Sequence, residues 1–371
     1  MVSWLGHIRR ISLTPDVNQA LLRKRGFPER DPQAKACLEM AGRSFIEGFG
    51  VAAQSSTAVE ATATLARIDG IRRGFAFEGA AMAMAIRDAL PLGHRHHVAD
   101  LLEAADDHIY MIHVGVGWSL ARLPRPLRRA ATVGLTDPTL TWLALDGYGF
   151  HQAFFHTDKY VRRQYIDPAP PLPMGAHAGY APRAIDQGIG RALWFVAGAD
   201  PNRALRLIEA FPPQRHEDLF AGLGLATTYA GGASRDEIEE LAKRVGRHRP
   251  ALAQGSVFAA EARTHAHITQ PHTENAVQAI TGLHVTEAAA IATQTRPSGH
   301  TVDGQLSFEV WRRRIMQRWA TEARFSLDPP LHSSAQSRAA VGDGGNVSAA
   351  AETDSLSKPR QPGIDRAKGG S

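Results

Sequence analysis

The sequence predicts an all-α protein, built as an α-solenoid of about seven helical-hairpin repeats, either open or closed into an α/α toroid. Two observations predict this class: glycine-started segments recur along the chain, and polar amphipathic stretches follow them. The starting glycines are 31, 36, 32, 41, 34 and 33 residues apart. A stacked helix-turn-helix unit needs a period near 34 residues. These glycines are Gly48, Gly79, Gly115, Gly147, Gly188, Gly222 and Gly255.

One well-matched repeat shows how each unit pairs two different helices. Residues 219–230 are apolar and rich in small side chains, Gly231 and Gly232 end this helix, and residues 236–245 form an amphipathic helix. Glycine inside a helix costs about 1 kcal/mol relative to alanine. We therefore interpret the recurring glycines as points where neighbouring helices touch. A dinucleotide-binding loop would need a preceding strand and a third glycine, and no segment has both.

Three regions are predicted along the chain: a lead-in at residues 1–33, the helical repeats at residues 34–325 and a disordered tail at residues 326–371. Pro28 and Pro32 mark turns in the lead-in. The tail has no aromatic residue and carries equal numbers of acidic and basic side chains. It therefore cannot bury enough apolar surface to offset the entropy lost on ordering.

Irregular spacing and the end of the array predict further features. A proline- and glycine-rich loop at residues 167–182 explains the long interval of 41. Residues 275–293 and 307–325 are predicted to be terminal helices. The second is rich in arginine, and a polar cap is what a solenoid end requires. A basic amphipathic helix that binds a membrane surface would need a wider apolar face.

Composition narrows the partners and the compartment. The formal charge of +5 is spread along the chain rather than focused on one stripe, so no nucleic-acid partner is expected. Cys37 is the one cysteine, which excludes an intrachain disulfide. No apolar run approaches the ~18 residues of a membrane span. We expect a cytoplasmic protein without membrane contact.

The residues that precede the recurring glycines are the strongest candidates for chemistry. If the repeats are equivalent, Glu47, Glu78, Asp146, Gln187 and Gln254 line one rim or groove. Buried carboxylates with shifted pKa values commonly act as general acids and bases. A structural alternative stays open, because an acidic side chain in the first turn of a helix stabilises that helix through its dipole.

Aromatic and polar neighbours extend this candidate site. His151 lies in an apolar stripe and is either a general base poised near neutral pH or a histidine of the core. The predicted catalytic residues are Glu78, Asp146 and His151. The predicted substrate-binding residues are Glu47, Tyr148, Phe150, Gln187, Arg191, Trp194, Tyr229 and Gln254.

No metal site and no cofactor are expected, although the chain holds 17 histidines. His94, His96 and His97 cluster beside a turn. His265 and His267 are two residues apart, so on a helix they point to different faces and chelate poorly. The zinc-protease spacing of two histidines around a glutamate is absent from the sequence.

Four segments carry a resemblance to a known family. They are FEGAAMAMAIRDAL, LDGYGFHQAFF, QGIGRALWFVAGADP and DLFAGLGLATTYAGG, which begin at residues 77, 145, 187 and 218. Residues 1–325 resemble a bacterial domain-of-unknown-function family of enediyne and related polyketide gene clusters, called enediyne biosynthesis proteins. The resemblance implies a role in specialised metabolism beside a polyketide synthase and tailoring proteins. The repeat length is also similar to that of tetratricopeptide repeats.

Two functions follow as hypotheses. In the first, the protein is an accessory or maturation enzyme that acts on an apolar polyene or enediyne polyketide intermediate in the cavity of the helical array. In the second, it is a non-enzymatic scaffold that binds synthase or tailoring proteins on a concave surface, as solenoids commonly do.

Overall fold

A computed structural model describes residues 4–90, 96–171 and 175–327, which lie in one compact unit. These residues are mostly helical, which confirms the all-α class. The helices are α1 Trp4–Leu13, α2 Leu22–Arg25, α3 Pro32–Gln54, α4 Ala58–Leu65, α5 Gly70–Ala89, α6 His97–Ala104, α7 Ile109–Arg122, α8 Arg125–Ala131, α9 Leu143–Phe155, α10 Ala181–Val196, α11 Pro201–Glu209, α12 His216–Ala230, α13 Arg235–Arg244, α14 Arg249–His265, α15 Pro271–Thr281, α16 Val285–Thr295 and α17 Ser307–Leu327. Strands β1 Thr301–Val302 and β2 Gln305–Leu306 form a small antiparallel hairpin.

Polar side chains start several of the helices. Asp31 accepts a hydrogen bond from the backbone of Ala34 at the start of α3, and Thr57 accepts one from Glu60 at the start of α4. Ser234 and Glu237 form a reciprocal capping box at the start of α13. Such caps satisfy backbone N–H groups that the first helical turn leaves unpaired.

Seven apolar helices pack side by side in the order of the chain. Helices α3, α5, α7, α9, α10, α12 and α14 each contact the next one in this row. The shorter helices α4, α6, α8, α11 and α13 each lie between two of them along the chain, and α15 follows the last one. Helix α9 is followed instead by a π-helical turn at Asp158–Arg162 and a 3-10 turn at Gly175–Tyr180. The alternation of an apolar with a more polar helix therefore matches the predicted repeat except at this point.

The recurring glycines lie where neighbouring helices touch, which confirms their predicted role. A Cβ atom added at Gly188 would lie 1.9 Å from the carbonyl oxygen of Asp146 on the preceding helix. The same atom at Gly222 would lie 1.9 Å from the carbonyl oxygen of Gln187. The second glycine of a segment meets the following helix in the same way, as Gly190 meets Leu219. Only glycine permits this backbone-to-backbone approach.

The first repeat is shifted by two residues from the predicted register. Gly79 packs on the carbonyl of Phe45, and Gly48 packs on the carbonyl of Ala76 as the second glycines of later segments do. Phe45 therefore stands where Glu78 stands in the next repeat. Glu47 lies off the common level, and the equivalence assumed for it is wrong.

The last helices of the row reach the first ones. The thiol of Cys37 on α3 donates to the carbonyl of Ala230 on α12 at 2.8 Å. The guanidinium of Arg263 on α14 donates to the carbonyl of Tyr229 at 2.6 Å and to that of Gly70, at the start of α5, at 3.4 Å. These contacts connect α12 and α14 to α3 and to the start of α5.

The remaining elements differ from prediction in detail. Residues 275–293 form parts of α15 and α16 rather than one helix, because Gly282 adopts the left-handed conformation at φ +80° and ends α15. Within residues 4–90, 96–171 and 175–327, no helix has the length and apolar character to cross a bilayer. The predicted tail begins at residue 326, but α17 continues to Leu327; the tail from residue 328 onward and His94 lie outside the described residues.

Candidate functional site

A cavity of about 390 Å³ lies between the helices of the row. Its wall is mainly apolar, and helices α3, α5, α7, α9, α10, α12, α14 and α17 all contribute to it. None of the connecting helices lines it. Aromatic side chains of the wall include Phe75, Trp118, Phe150, Phe195, Phe258 and Trp311. A concave apolar site with few polar groups is the usual form of a small-molecule site.

A buried polar cluster interrupts this apolar wall; we call Glu78, Asp146, Arg191 and Gln187 the cavity cluster. The Arg191 guanidinium pairs with Asp146 and lies 3.6 Å from Glu78 Oε1. Gln187 Nε2 donates to Asp146 Oδ2 at 2.9 Å. Trp118 Nε1 donates to Glu78 Oε1 at 2.8 Å. All four members are buried, and all but Gln187 line the cavity.

The cavity cluster holds two carboxyl groups and one cation, and this imbalance sets its electrostatics. Burial raises the pKa of Glu78 to about 7, although Arg191 and the Trp118 hydrogen bond partly oppose the shift; the charge of Asp146 adds to it. Burial opposes the charge on Arg191, yet Asp146 and Glu78 raise its pKa above the ordinary value. With this pKa, the Glu78 carboxyl is present in both its protonated and its ionised form near neutral pH.

The comparison with protein families adds one finding. The model of the family described as "Protein of unknown function (DUF1702)" matches residues 4–319. The chain belongs to this DUF1702 family. No curated protein and no solved structure matches the chain significantly. The DUF1702 match runs from the first residue of α1 into α17, so it includes every helix that lines the cavity.

Six residues predicted for the site of this DUF1702 protein line the cavity: Glu78, Asp146, Phe150, His151, Arg191 and Tyr229. The dipole alternative fits only one of the two carboxylates. Asp146 lies in the first turn of α9, whereas Glu78 lies in the middle of α5. Their position beside the cavity is observed, and their catalytic role stays a prediction.

Glu47 and Tyr148 do not line the cavity. Glu47 is half-buried and pairs with Arg72, because the register of α3 turns it away from the cavity. Tyr148 points to the opposite side of α9, where its hydroxyl donates to Asp167 Oδ2 at 2.7 Å. This bond ties α9 to the long segment that follows it.

Trp194 and Gln254 are also separated from the cavity. Trp194 Nε1 donates to the carbonyl of Gly231 at 2.8 Å and so holds the end of α12 against α10. Gln254 Oε1 accepts a hydrogen bond from Arg312 Nε at 2.9 Å. Both side chains are buried structural contacts in this chain.

His151 does not have the ionisation that a base poised near neutral pH requires. Burial lowers its pKa to about 3, and the nearby positive charge of Arg122 acts in the same direction. The ring is edge-on to Trp118, with centroids 5.6 Å apart. Its imidazole is therefore neutral at physiological pH and a very weak base.

A second charged cluster lies near the first turns of α10, α12 and α17 and was missed from the sequence; it is buried except for Arg183, which is partly exposed. We call Arg183, Asp218, Glu309 and Arg312 the end cluster. Arg312 Nη1 donates to Asp218 Oδ1 at 2.6 Å, and Arg183 bridges Asp218 and Glu309. Arg312 was assigned to a polar cap, but its side chain is fully buried. No member of this cluster lines the cavity.

Trp118, the hydrogen-bond donor to Glu78, was also missed, although the glycine pattern contains the signal. In the six helices from α5 to α14 of the row, the third residue after the starting glycine lines the cavity. These residues are Met82, Trp118, Phe150, Arg191, Leu225 and Phe258. Among the described residues, no group of three His, Cys, Asp or Glu side chains is placed to hold a metal ion.

Proposed function

We propose that the protein binds a largely apolar small molecule in the cavity and exchanges a proton with it through Glu78. The observation that carries this proposal is the Glu78 carboxyl group, which has a pKa of about 7 and lies in a wall made mostly of aromatic and aliphatic side chains. Burial of apolar ligand surface contributes about 25 cal/mol per Å². A polar group with a tuned pKa in such a site supplies chemistry or orientation.

The proposed ligand is a polyene or enediyne polyketide intermediate of bacterial specialised metabolism. This assignment rests on the family resemblance of the sequence and on the aromatic wall, which suits a conjugated chain. We also propose that the row of seven helices is a solenoid closed into a toroid, since its last helices contact its first.

Proton transfer to a conjugated chain gives a reaction class that fits the wall. The Glu78 carboxyl donates its proton to one carbon of a double bond, which leaves a carboxylate and a delocalised cation. The carboxylate then removes a proton from a neighbouring position, so the double bond moves and Glu78 is restored. Aromatic faces stabilise such a cation in the interval. Asp146 stays paired with Arg191 throughout.

Binding is tested with 1,6-diphenylhexatriene, a neutral linear polyene that fluoresces only in apolar surroundings. We expect emission on mixing with the full chain and a loss of affinity of about tenfold or more in Val114→Phe, which fills the cavity and leaves less room for the probe. Val133→Phe, at an exposed valine away from the cavity, is the matched control. Equal affinity of the two variants, or no emission, contradicts the proposal.

The proton step is tested in the producing cell. The gene is deleted and the metabolites of the cell are profiled. We expect the deletion strain to accumulate an unprocessed polyene. Rescue by the unaltered gene and failure of rescue by Glu78→Gln support proton exchange at this residue. Full rescue by both Glu78→Gln and Val114→Phe would instead support the scaffold function, since a scaffold needs neither the carboxyl nor the cavity.

A further inference from the structure

Helix α1 presents an apolar face to solvent. Trp4 and Ile11 are 74% and 70% exposed, and Leu5 and Ile8 between them are exposed as well. These four residues have the spacing i, i+1, i+4 and i+7, which places them on one face of a helix. Val17, just beyond the helix, is also exposed. A terminal helix of an array normally turns a polar face outward.

The opposite face of α1 is fixed, so the apolar face cannot rotate inward. Gly6 packs on the carbonyl of Gln54, where a Cβ atom would overlap the backbone of α3. Arg9 Nε donates to the carbonyl of Ala53 at 2.9 Å, and Arg10 Nη1 donates to Gln54 Oε1 at 2.6 Å. Trp4, Leu5, Ile8 and Ile11 are thus held in an outward orientation.

The segment that contains α1 carries mostly positive charge. Residues 4–26 contain five basic side chains and one acidic side chain, Asp16. The basic residues are Arg9, Arg10, Arg23, Lys24 and Arg25. Basic side chains beside an apolar helical face are typical of segments that lie on anionic membranes. A tryptophan at the end of such a helix suits the interfacial region of a bilayer.

The same segment leads directly into the wall of the cavity. Pro15, Asp16, Gln19 and Leu22 follow α1 and line the cavity. Asp16 is exposed and Gln19 is half-buried, whereas Leu22 is buried, so this part of the wall runs from the surface inward. The apolar face and an accessible part of the cavity wall are therefore neighbours along the chain.

We propose that α1 is a docking helix that lies in the surface of an anionic lipid bilayer, with Trp4, Leu5, Ile8 and Ile11 inserted at the level of the headgroups. This reverses the expectation that the protein makes no membrane contact. Docking stands independently of the proposed function. The consequence that an apolar ligand enters the cavity from the lipid does rest on that function.

A second copy of the chain fits this face less well than lipid does. A twofold dimer through α1 would bring the same basic segment of both chains together. Like charges placed opposite each other oppose association, whereas anionic headgroups attract them. The bilayer is therefore the occupant that satisfies both the apolar and the charged part of the segment.

Trp4 provides a direct spectroscopic test, because the other five tryptophans of the chain are all buried. The full chain is mixed with vesicles of phosphatidylcholine and phosphatidylglycerol at about three to one, or of phosphatidylcholine alone. We expect flotation with the anionic vesicles and a blue shift of emission, both weakened by high salt. Trp4→Phe should lose most of the blue shift and still float.

Matched substitutions separate α1 from general surface stickiness. Ile8→Gln with Ile11→Gln is expected to weaken vesicle binding by about tenfold or more, since two inserted side chains are lost. Val59→Gln with Val133→Gln replaces two exposed valines elsewhere and should leave binding unchanged. Thermal unfolding of each variant confirms that it is folded.

Three results would overturn the proposal. One is no flotation with either type of vesicle. Another is a concentration-dependent dimer, measured by light scattering, that the Ile8→Gln and Ile11→Gln pair abolishes. The third is Trp4 emission already typical of a buried indole in the monomer and exposed only when residues 328–371 are removed. None of these results depends on diphenylhexatriene binding, so docking and the proposed function fail separately.

Discussion

The cavity cluster and the end cluster are both mostly buried, but they differ in the ratio of arginines to carboxyl groups. The cavity cluster sets one arginine against two carboxyl groups, and the pKa of Glu78 rises to about 7. The end cluster sets Arg183 and Arg312 against two carboxyl groups. There, burial opposes ionisation of Glu309, but Arg312, Arg183 and a hydrogen bond from Arg313 hold its pKa below the ordinary value.

Burial alone does not decide the direction in which the pKa of a carboxyl group shifts. Both glutamates lose contact with water, and the number of nearby cations decides the direction of the shift. Three members of the cavity cluster line the cavity, whereas no member of the end cluster does. We therefore interpret the cavity cluster as the candidate functional site and the end cluster as a structural joint between α17 and the row.

The largest expected effect tests the structural joint. Arg312→Met leaves Asp218 without its one fully buried cation, and we expect a loss of about 3–5 kcal/mol in the free energy of unfolding. Urea unfolding followed by circular dichroism measures it. Arg314→Met is the matched control, because that neighbouring side chain is exposed and lies outside the cluster. Similar losses in both variants would remove the distinction between the clusters.

An intermediate effect tests how the helices place the cavity cluster. Gly188→Ala puts a methyl group against the carbonyl of Asp146, so α9 and α10 must separate. We expect a loss of about 1–3 kcal/mol in unfolding free energy. Gly179→Ala, where a Cβ atom meets no neighbour within 4 Å, serves as control. A stable Gly188→Ala protein would show that close approach is not needed here.

The last prediction, and the most diagnostic, concerns how the stability of Glu78→Gln changes with pH. Because the folded-state pKa is raised, protonation of Glu78 stabilises the fold fully below pH 4.5, and this contribution is lost as pH rises to about 7. The loss amounts to about 3 kcal/mol and is absent from the variant. We expect the stability of Glu78→Gln relative to the unaltered chain to increase over this window.

Denaturant unfolding at pH values across the same window measures the difference. Asp167→Asn, at a carboxylate outside the cavity, controls for a general response to removing one negative charge. Parallel pH profiles of Glu78→Gln and the unaltered chain would contradict the raised pKa and weaken the comparison between the clusters.

The local pattern of residues in the sequence was enough to predict much of the fold and part of the candidate site. Glycine spacing predicted the helix contacts, and the residue before the glycine identified Glu78 and Asp146. The register of α3 was misread because Gly48 and Gly50 resemble a standard segment, while only the packing of Gly79 on Phe45 reveals the shift. Gln254 was misplaced because its partner Arg312 lies 58 residues further along the chain.

Wall residues of the cavity come from nearly the whole length of the chain, from Pro15 to Trp311. The wall of the cavity is therefore complete only when α17 has packed against the row. During synthesis, a chain that stops before Trp311 would present its aromatic wall to the surroundings. Under the proposed function, an apolar ligand enters the cavity only after the polypeptide is complete, and truncated products are expected to aggregate.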